Sequence, residues 1–312
     1  MNIYILNDLM IYSFLKKYKG FSVNKKLNKA CIQGHKELVE LMIEKGADDW
    51  NWGLRGACIN GNKKLAEWMI EKGADDWNWG LYESCVGAHR ELANWMIEKG
   101  PNRSSGLYSS YWNSGLYGAS RGGHQELVEL MIEKGANDWN LGLYEACRGG
   151  HRELVELMIE KGSNGWNLGL FGACRNGEIG LAEWMIEKGA DDWNKGLLGA
   201  CISGKRELAE IMIEKGADDW NSGLRGACLC GNKKLVEWMI EKGADNWNWG
   251  LQGACEGGHY ELAEWMIEKG ANNLNWGLYV ACAGGYRELA EMIIEKGGDS
   301  NSCRIKVHCH RV

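Results

Sequence analysis

Apolar residues return along the chain in two alternating groups. In 50–73, WNWGLRGACINGNKKLAEWMIEKG, Leu54, Ala57 and Cys58 share one helical face. Leu65, Ala66, Trp68, Met69 and Ile70 form a second, broader face, with Glu67 and Glu71 on its wet side. Gly61 supplies a left-handed residue to end the first helix, and Gly73 closes the second. Lys72 sits in that last turn, where the helix dipole favours a cation. Asn51, ahead of the first run, is the expected N-cap. The pattern predicts two helices joined by a tight turn, neither able to bury its apolar face alone.

The hairpin is written many times. The tetrapeptide IEKG begins at Ile43, Ile70, Ile97, Ile132, Ile159, Ile186, Ile213, Ile240, Ile267 and Ile294, every step being 27 residues except one of 35. Such a period marks a solenoid, in which stacking buries a continuous core and stability sums over repeats and interfaces. The expected fold class is all-α, with about ten stacked helix-turn-helix units. GADDWNWGL stands at 46–54 and again at 73–81. Its Gly-Ala-Asp is expected to turn between units. Its Trp, recurring at 50, 77, 112, 139, 166, 193, 220 and 247 with Leu274 as the one replacement, is expected to pack the joint. The other use of that slot, an aromatic ladder for bases or sugars, needs rings that face solvent.

Composition narrows the function. The net charge is −6, which disfavours wholesale attraction to nucleic acid or anionic lipid. One proline among 312 residues leaves helices unbroken. Nine of the 12 cysteines, Cys31, Cys58, Cys85, Cys147, Cys174, Cys201, Cys228, Cys255 and Cys282, share one slot of the unit. Equivalent slots of packed helices lie roughly 8–10 Å apart, beyond the ~7 Å that a disulfide spans. They are therefore expected to be small buried thiols of a reducing compartment. The start, MNIYILNDLMIYSFLKKYKG, lacks a basic n-region and is interrupted by Asn7 and Asp8, so no secretory signal is read there. No apolar run reaches the length of a membrane span. A cytoplasmic, non-secreted protein is expected.

GGHRELVELMIEKGSN, 149–164, resembles the second half of an ankyrin repeat, and GLRGAC resembles the inner helix that in that family reads TPLHLAA. The resemblance covers roughly residues 24–300. It implies a right-handed α-solenoid whose inner helices and fingers form a concave surface for protein partners. Two departures stand out. The Thr-Pro-Leu-His signature is absent, and the unit has 27 residues rather than the family's usual 33. The missing residues fall between Asp49 and Leu54, so the family's β-hairpin fingers are expected to be shortened or absent. The Trp-Asn joints and IEKG helices resemble ankyrin arrays of large DNA viruses of amoebae, which would place the protein in host cytoplasm.

Residues 1–23 read as a degenerate capping unit, 24–300 as the array and 301–312 as a tail. The insertion PNRSSGLYSSY, 101–111, reads either as an ordinary loop or as a restored protruding finger carrying Arg103, Tyr108 and Tyr111.

Candidate catalytic motifs fail one by one. GACISGKR, 199–206, lacks the P-loop's final hydroxyl, since Arg206 stands there, and it follows no strand. His35, His89, His124, His151 and His259 share a turn slot that Asn62, Glu178, Lys205, Asn232 and Tyr286 also occupy, so they read as turn residues. Cys303, His308, Cys309 and His310 are metal-capable types packed too closely for a tetrahedral site. The repeated glutamates of the second helix read as a solvated outer face. No catalytic residue, cofactor, metal or small-molecule substrate is expected.

What varies is a stripe on the first helix, formed by slots three and four apart. Three consecutive units place an aromatic four residues before an arginine: Tyr117–Arg121, Tyr144–Arg148 and Phe171–Arg175. These are the residue types of binding hot spots. With Arg103, Tyr108 and Tyr111 of the insertion they make the candidate partner-binding site. The function expected is a protein–protein interaction scaffold for an acidic or mixed-charge polypeptide, with the chain a monomer rather than an oligomer. The competing readings are a structural, self-assembling virion component and a nucleic-acid binder.

Overall fold

The computed structural model describes residues 3–19, 21–100 and 108–302. Among them every regular element is helical and none is a strand. The chain divides into two compact units, 1–102 and 103–312, each built on the same plan. The first contains α1 (Ile3–Lys17) and three hairpins: α2 (Val23–Gln33) with α3 (Lys36–Glu44), α4 (Trp50–Ile59) with α5 (Lys63–Glu71), and α6 (Trp77–Val86) with α7 (Arg90–Lys99).

The second unit contains seven hairpins. They are α8 (Tyr108–Gly122) with α9 (Gln125–Lys134), α10 (Trp139–Gly149) with α11 (Arg152–Glu160), and α12 (Trp166–Asn176) with α13 (Ile179–Glu187). Then come α14 (Trp193–Ile202) with α15 (Arg206–Lys215), α16 (Trp220–Cys230) with α17 (Lys233–Lys242), α18 (Trp247–Gly257) with α19 (Tyr260–Glu268), and α20 (Leu274–Gly284) with α21 (Arg287–Glu295). A short 3₁₀ turn follows at Ser300–Ser302. Among the described residues no helix is long and apolar enough to cross a membrane.

Within each unit, first helices pack on first helices, and each also packs on its own second helix. One hairpin shows the core: Leu170, Ala173, Cys174, Leu181, Ala182 and Met185 are all buried. Glycine sets how closely the helices approach. A Cβ on Gly169 would lie 2.6 Å from Met185 Sδ, and one on Gly172 would lie 2.5 Å from the Tyr144 carbonyl oxygen. The repeated Gly-Leu-x-Gly is thus a contact surface, with one glycine toward the partner helix of the hairpin and one toward the preceding hairpin.

The joint works differently from the sequence expectation. Asp49, not Asn51, caps α4: its carboxylate accepts from the Trp52 backbone N–H. Asn51 lies inside the first turn and reaches the next hairpin. Its Oδ1 accepts from the backbone N–H groups of Asp75 at 2.9 Å and Asp76 at 3.0 Å, and its Nδ2 donates to Asp75 Oδ1 at 3.0 Å. Asn167, Asn194 and Asn248 make the same three bonds to the hairpins that follow them. The joint tryptophans are half-buried and, except for Trp112 inside α8, begin the first helices. The Trp193, Trp220 and Trp247 rings rest against the closing glycines Gly216, Gly243 and Gly270.

The histidine slot also ties hairpins together. His89, His151 and His259 make no side-chain cap bond to their own helices. Each ring Nε2 instead pairs with the carbonyl oxygen of Ile59, Arg121 or Leu229 in the preceding hairpin, at 2.9–3.1 Å. The second-helix glutamates lie mostly at the surface, several in i,i+4 pairs such as Arg206–Glu210, each contributing only about 0.3–0.5 kcal/mol.

Two expectations need correction. Residues 108–111 are helical and extend α8 upstream of Trp112, and Tyr111 is buried with its ring against Trp112. Tyr111 therefore belongs to the core, not to an exposed finger. Among the slot cysteines, Cys31, Cys58, Cys85, Cys147, Cys174, Cys201, Cys228 and Cys255 are buried free thiols, but Cys282 is disulfide-bonded. Ser120 takes the same slot in α8, and its buried hydroxyl has no hydrogen-bond partner.

Asn167→Ala removes the three bonds that hold the next joint, and is expected to lower stability by about 2 kcal/mol in urea unfolding. Burial pushes the thiols of Cys31, Cys58, Cys85, Cys147, Cys174, Cys228 and Cys255 up to about 12. The unfolded chain ionises its thiols first, near pH ~8.5, so folded stability is full below that pH and is lost on the way to about 12. Stability flat from pH 8 to 11 would contradict this.

Candidate protein-binding face on the first helices

The varying stripe runs along the first helices and ranges from buried Tyr82 to exposed Trp79. Eight large apolar side chains are exposed among the described residues; Leu141, Trp249, Trp276 and Tyr279 of the second unit lie on this stripe, and Trp79 holds the equivalent slot in the first. Single exposed apolar residues need no explanation, but their gathering along one helix face does. Trp79 stands edge-on to Tyr82 at 5.2 Å between centroids, and Trp276 stacks on Tyr279 at 5.4 Å.

The aromatic–arginine pairs lie on α8, α10 and α12, and the structure gathers most of them. Tyr144 stacks on Phe171 with centroids 5.9 Å apart and planes 13° from parallel. Arg175 Nη1 donates to the Tyr144 hydroxyl at 3.4 Å, and the Arg148 guanidinium lies 6.0 Å from the Tyr144 ring centroid. Arg121 is half-buried, and its carbonyl holds His151. Tyr117 is turned to structural use: its hydroxyl donates to Asp138 Oδ2 at 2.6 Å, the carboxylate that also caps α10. Burial, then that bond, holds the Tyr117 phenol well above its ordinary range.

Tyr108 starts α8, and Arg103 lies outside the described residues. So do Cys303, His308, Cys309 and His310. Tyr111, being buried, does not join the face.

Sequence reasoning missed Glu145. It occupies the slot that Gly172 fills one unit later, and so faces α8. Its side chain is 12% exposed, and Arg148 Nη1 donates to its Oε1 at 3.5 Å, while Oε2 is buried without a hydrogen-bond partner. Burial raises its carboxyl above the usual range, against the opposing fields of Arg148, Arg121 and Arg175. The signal was present in GLYEAC, where most units read Gly before Ala-Cys.

The other arginines of this face sit in simple ion pairs. Arg55 Nε donates to Glu83 Oε1 at 2.8 Å beneath the Trp79 ring. Arg225 Nη2 reaches both carboxylate oxygens of Glu256, at 2.9 and 3.2 Å. Around Glu145 the arrangement differs, because the fields of Arg148, Arg121 and Arg175 all reach its carboxylate and the hydrogen bond of Arg175 goes to a neutral phenol. The arrangement can hold an anionic side chain flanked by flat rings.

No family model and no curated protein matches the chain. Among solved structures, the ankyrin repeat domain of human ASB11 is similar at 23% identity and a TM-score of 0.34, over 53% of this chain and 83% of that one.

Because the Glu145 carboxyl is held high, its charged form weakens the fold above the ordinary carboxylate range and the penalty fades as pH falls. Glu145→Gln is therefore expected to melt higher than the parent at pH 7, with the gap shrinking toward pH 4. A lower melting temperature at pH 7 would show that the arginine fields outweigh burial.

Proposed function

We propose that this protein is a non-catalytic interaction scaffold that holds a protein partner against its first-helix face. The observation that carries the reading is the gathering of exposed Leu141, Trp249, Trp276 and Tyr279 on the same stripe as the Tyr144–Phe171 stack and its arginines. Aromatic rings and arginines at a protein surface are the residues whose truncation most weakens partner binding. The resemblance to ankyrin repeats supports the same face, since that family binds partners through its inner helices. The arginines make an acidic or mixed-charge polypeptide the fitting ligand.

Tyr144, Phe171, Arg121, Arg148 and Arg175 form an electrostatic and stacking centre. Trp249, Trp276 and Tyr279 supply apolar area further along the second unit. Tyr117 supports the centre through Asp138 rather than touching the partner.

Changing Arg121, Arg148 and Arg175 together to alanine is expected to abolish capture of the cognate partner, while the far-ultraviolet circular dichroism stays that of the parent. Trp249→Ala with Trp276→Ala is expected to weaken it at least tenfold. Capture undiminished by the arginine triple variant would remove the proposal.

A further inference from the structure

Resting on the binding reading above, we infer that Glu145 is a tethered competitor for the ligand: it presents, from within the chain, the carboxylate that an acidic residue of the partner offers to Arg121, Arg148 and Arg175. Three observations lead there. The slot is one where Gly56, Gly118, Gly172, Gly199, Gly226 and Gly253 stand in other units, so the fold does not require a carboxylate. A Cβ at Gly172 would come within 2.5 Å of the preceding helix's backbone, so a glutamate in this slot must wedge beside α8 rather than slip between the helices. And the carboxylate so placed is bonded to only one of the three arginines whose fields reach it, with Oε2 left without a partner.

Glu83 provides the internal contrast. It fills the same slot in α6 and closes a tight 2.8 Å pair with Arg55, one charge to one charge. That site is finished. At Glu145 the separation to Arg148 is 3.5 Å, and Arg175 spends its hydrogen bond on a phenol. A stabilising ion pair would be built like the first. The second is a loosely held anion, which an incoming carboxylate has to repel or out-compete.

Two consequences follow for recognition. A weakly or diffusely charged anion gains little, because Glu145 already offsets part of the attraction. A polypeptide with several adjacent carboxylates gains more, because it engages arginines at successive units together. Glu145 thus sets a threshold of charge density for the partner.

The probe is a fluorescein-labelled decaglutamate peptide, followed by anisotropy at low salt. Glu145→Gln is expected to bind it about tenfold more tightly than the parent, the scale of one charge removed a few ångströms from the contact. Adding the alanines at Arg121, Arg148 and Arg175 to that variant is expected to cancel the gain. Glu145→Gly, which restores the slot's common residue, is expected to repeat the gain. Folded Gln and Gly variants that bind no better than the parent would overturn the inference, even if the arginine triple variant alone weakens binding. A gain that persists without the arginines would overturn both it and the placement of the site. An equal gain for a labelled thymidine decanucleotide would also overturn it, because simple net charge would then explain the result.

Discussion

A two-helix hairpin of this size has more apolar surface than it can cover by itself. Leu170, Ala173 and Cys174 of α12 and Leu181, Ala182 and Met185 of α13 are dry only because hairpins stand on either side. Everything else in the structure serves that dependence. Glycines let the helices approach to contact, histidines and asparagines reach across the joints, and the interior slots hold small side chains that repeat without conflict. Stability in such a stack is a property of interfaces more than of single units.

The same constraint explains where function can reside. Slots that face a neighbour are fixed by packing, and a change there disturbs two hairpins. The first-helix stripe meets its neighbours through side-chain tips rather than close backbone packing, so its residues differ more freely: Trp79, Leu141, Lys195, Trp249 and Trp276 occupy one slot of it. Glu145 lies on the border between the two regimes. It occupies a packing slot yet belongs electrostatically to the open face, and its partly unsatisfied carboxylate reflects that double position.

Much of this was legible in the sequence, for a physical reason. A motif repeated at a constant interval averages away local ambiguity, so the hairpins, their closing glycines and the buried cysteine slot could be read directly. Roles that depend on the neighbouring hairpin could not. Asp49 and Asn51 are both good capping residues, and only the backbone N–H groups of Asp75 and Asp76 decide that the asparagine is used across the joint. The histidines looked interchangeable because asparagine, lysine or tyrosine can fill the same turn, yet their ring nitrogens reach back a full hairpin. Tyr111 read as part of a loop because the helix extension that buries it carries no periodic signal of its own.

The bonds of Asn51, Asn113, Asn167, Asn194, Asn221 and Asn248 span the same distance along the chain, from one hairpin to the backbone 24 and 25 residues further on. Adding or deleting one complete hairpin leaves every such bond with an equivalent partner. Adding or deleting one residue within a hairpin misaligns the contacts on both sides. Within a run of 27-residue steps the array can therefore change length by whole hairpins without losing a joint.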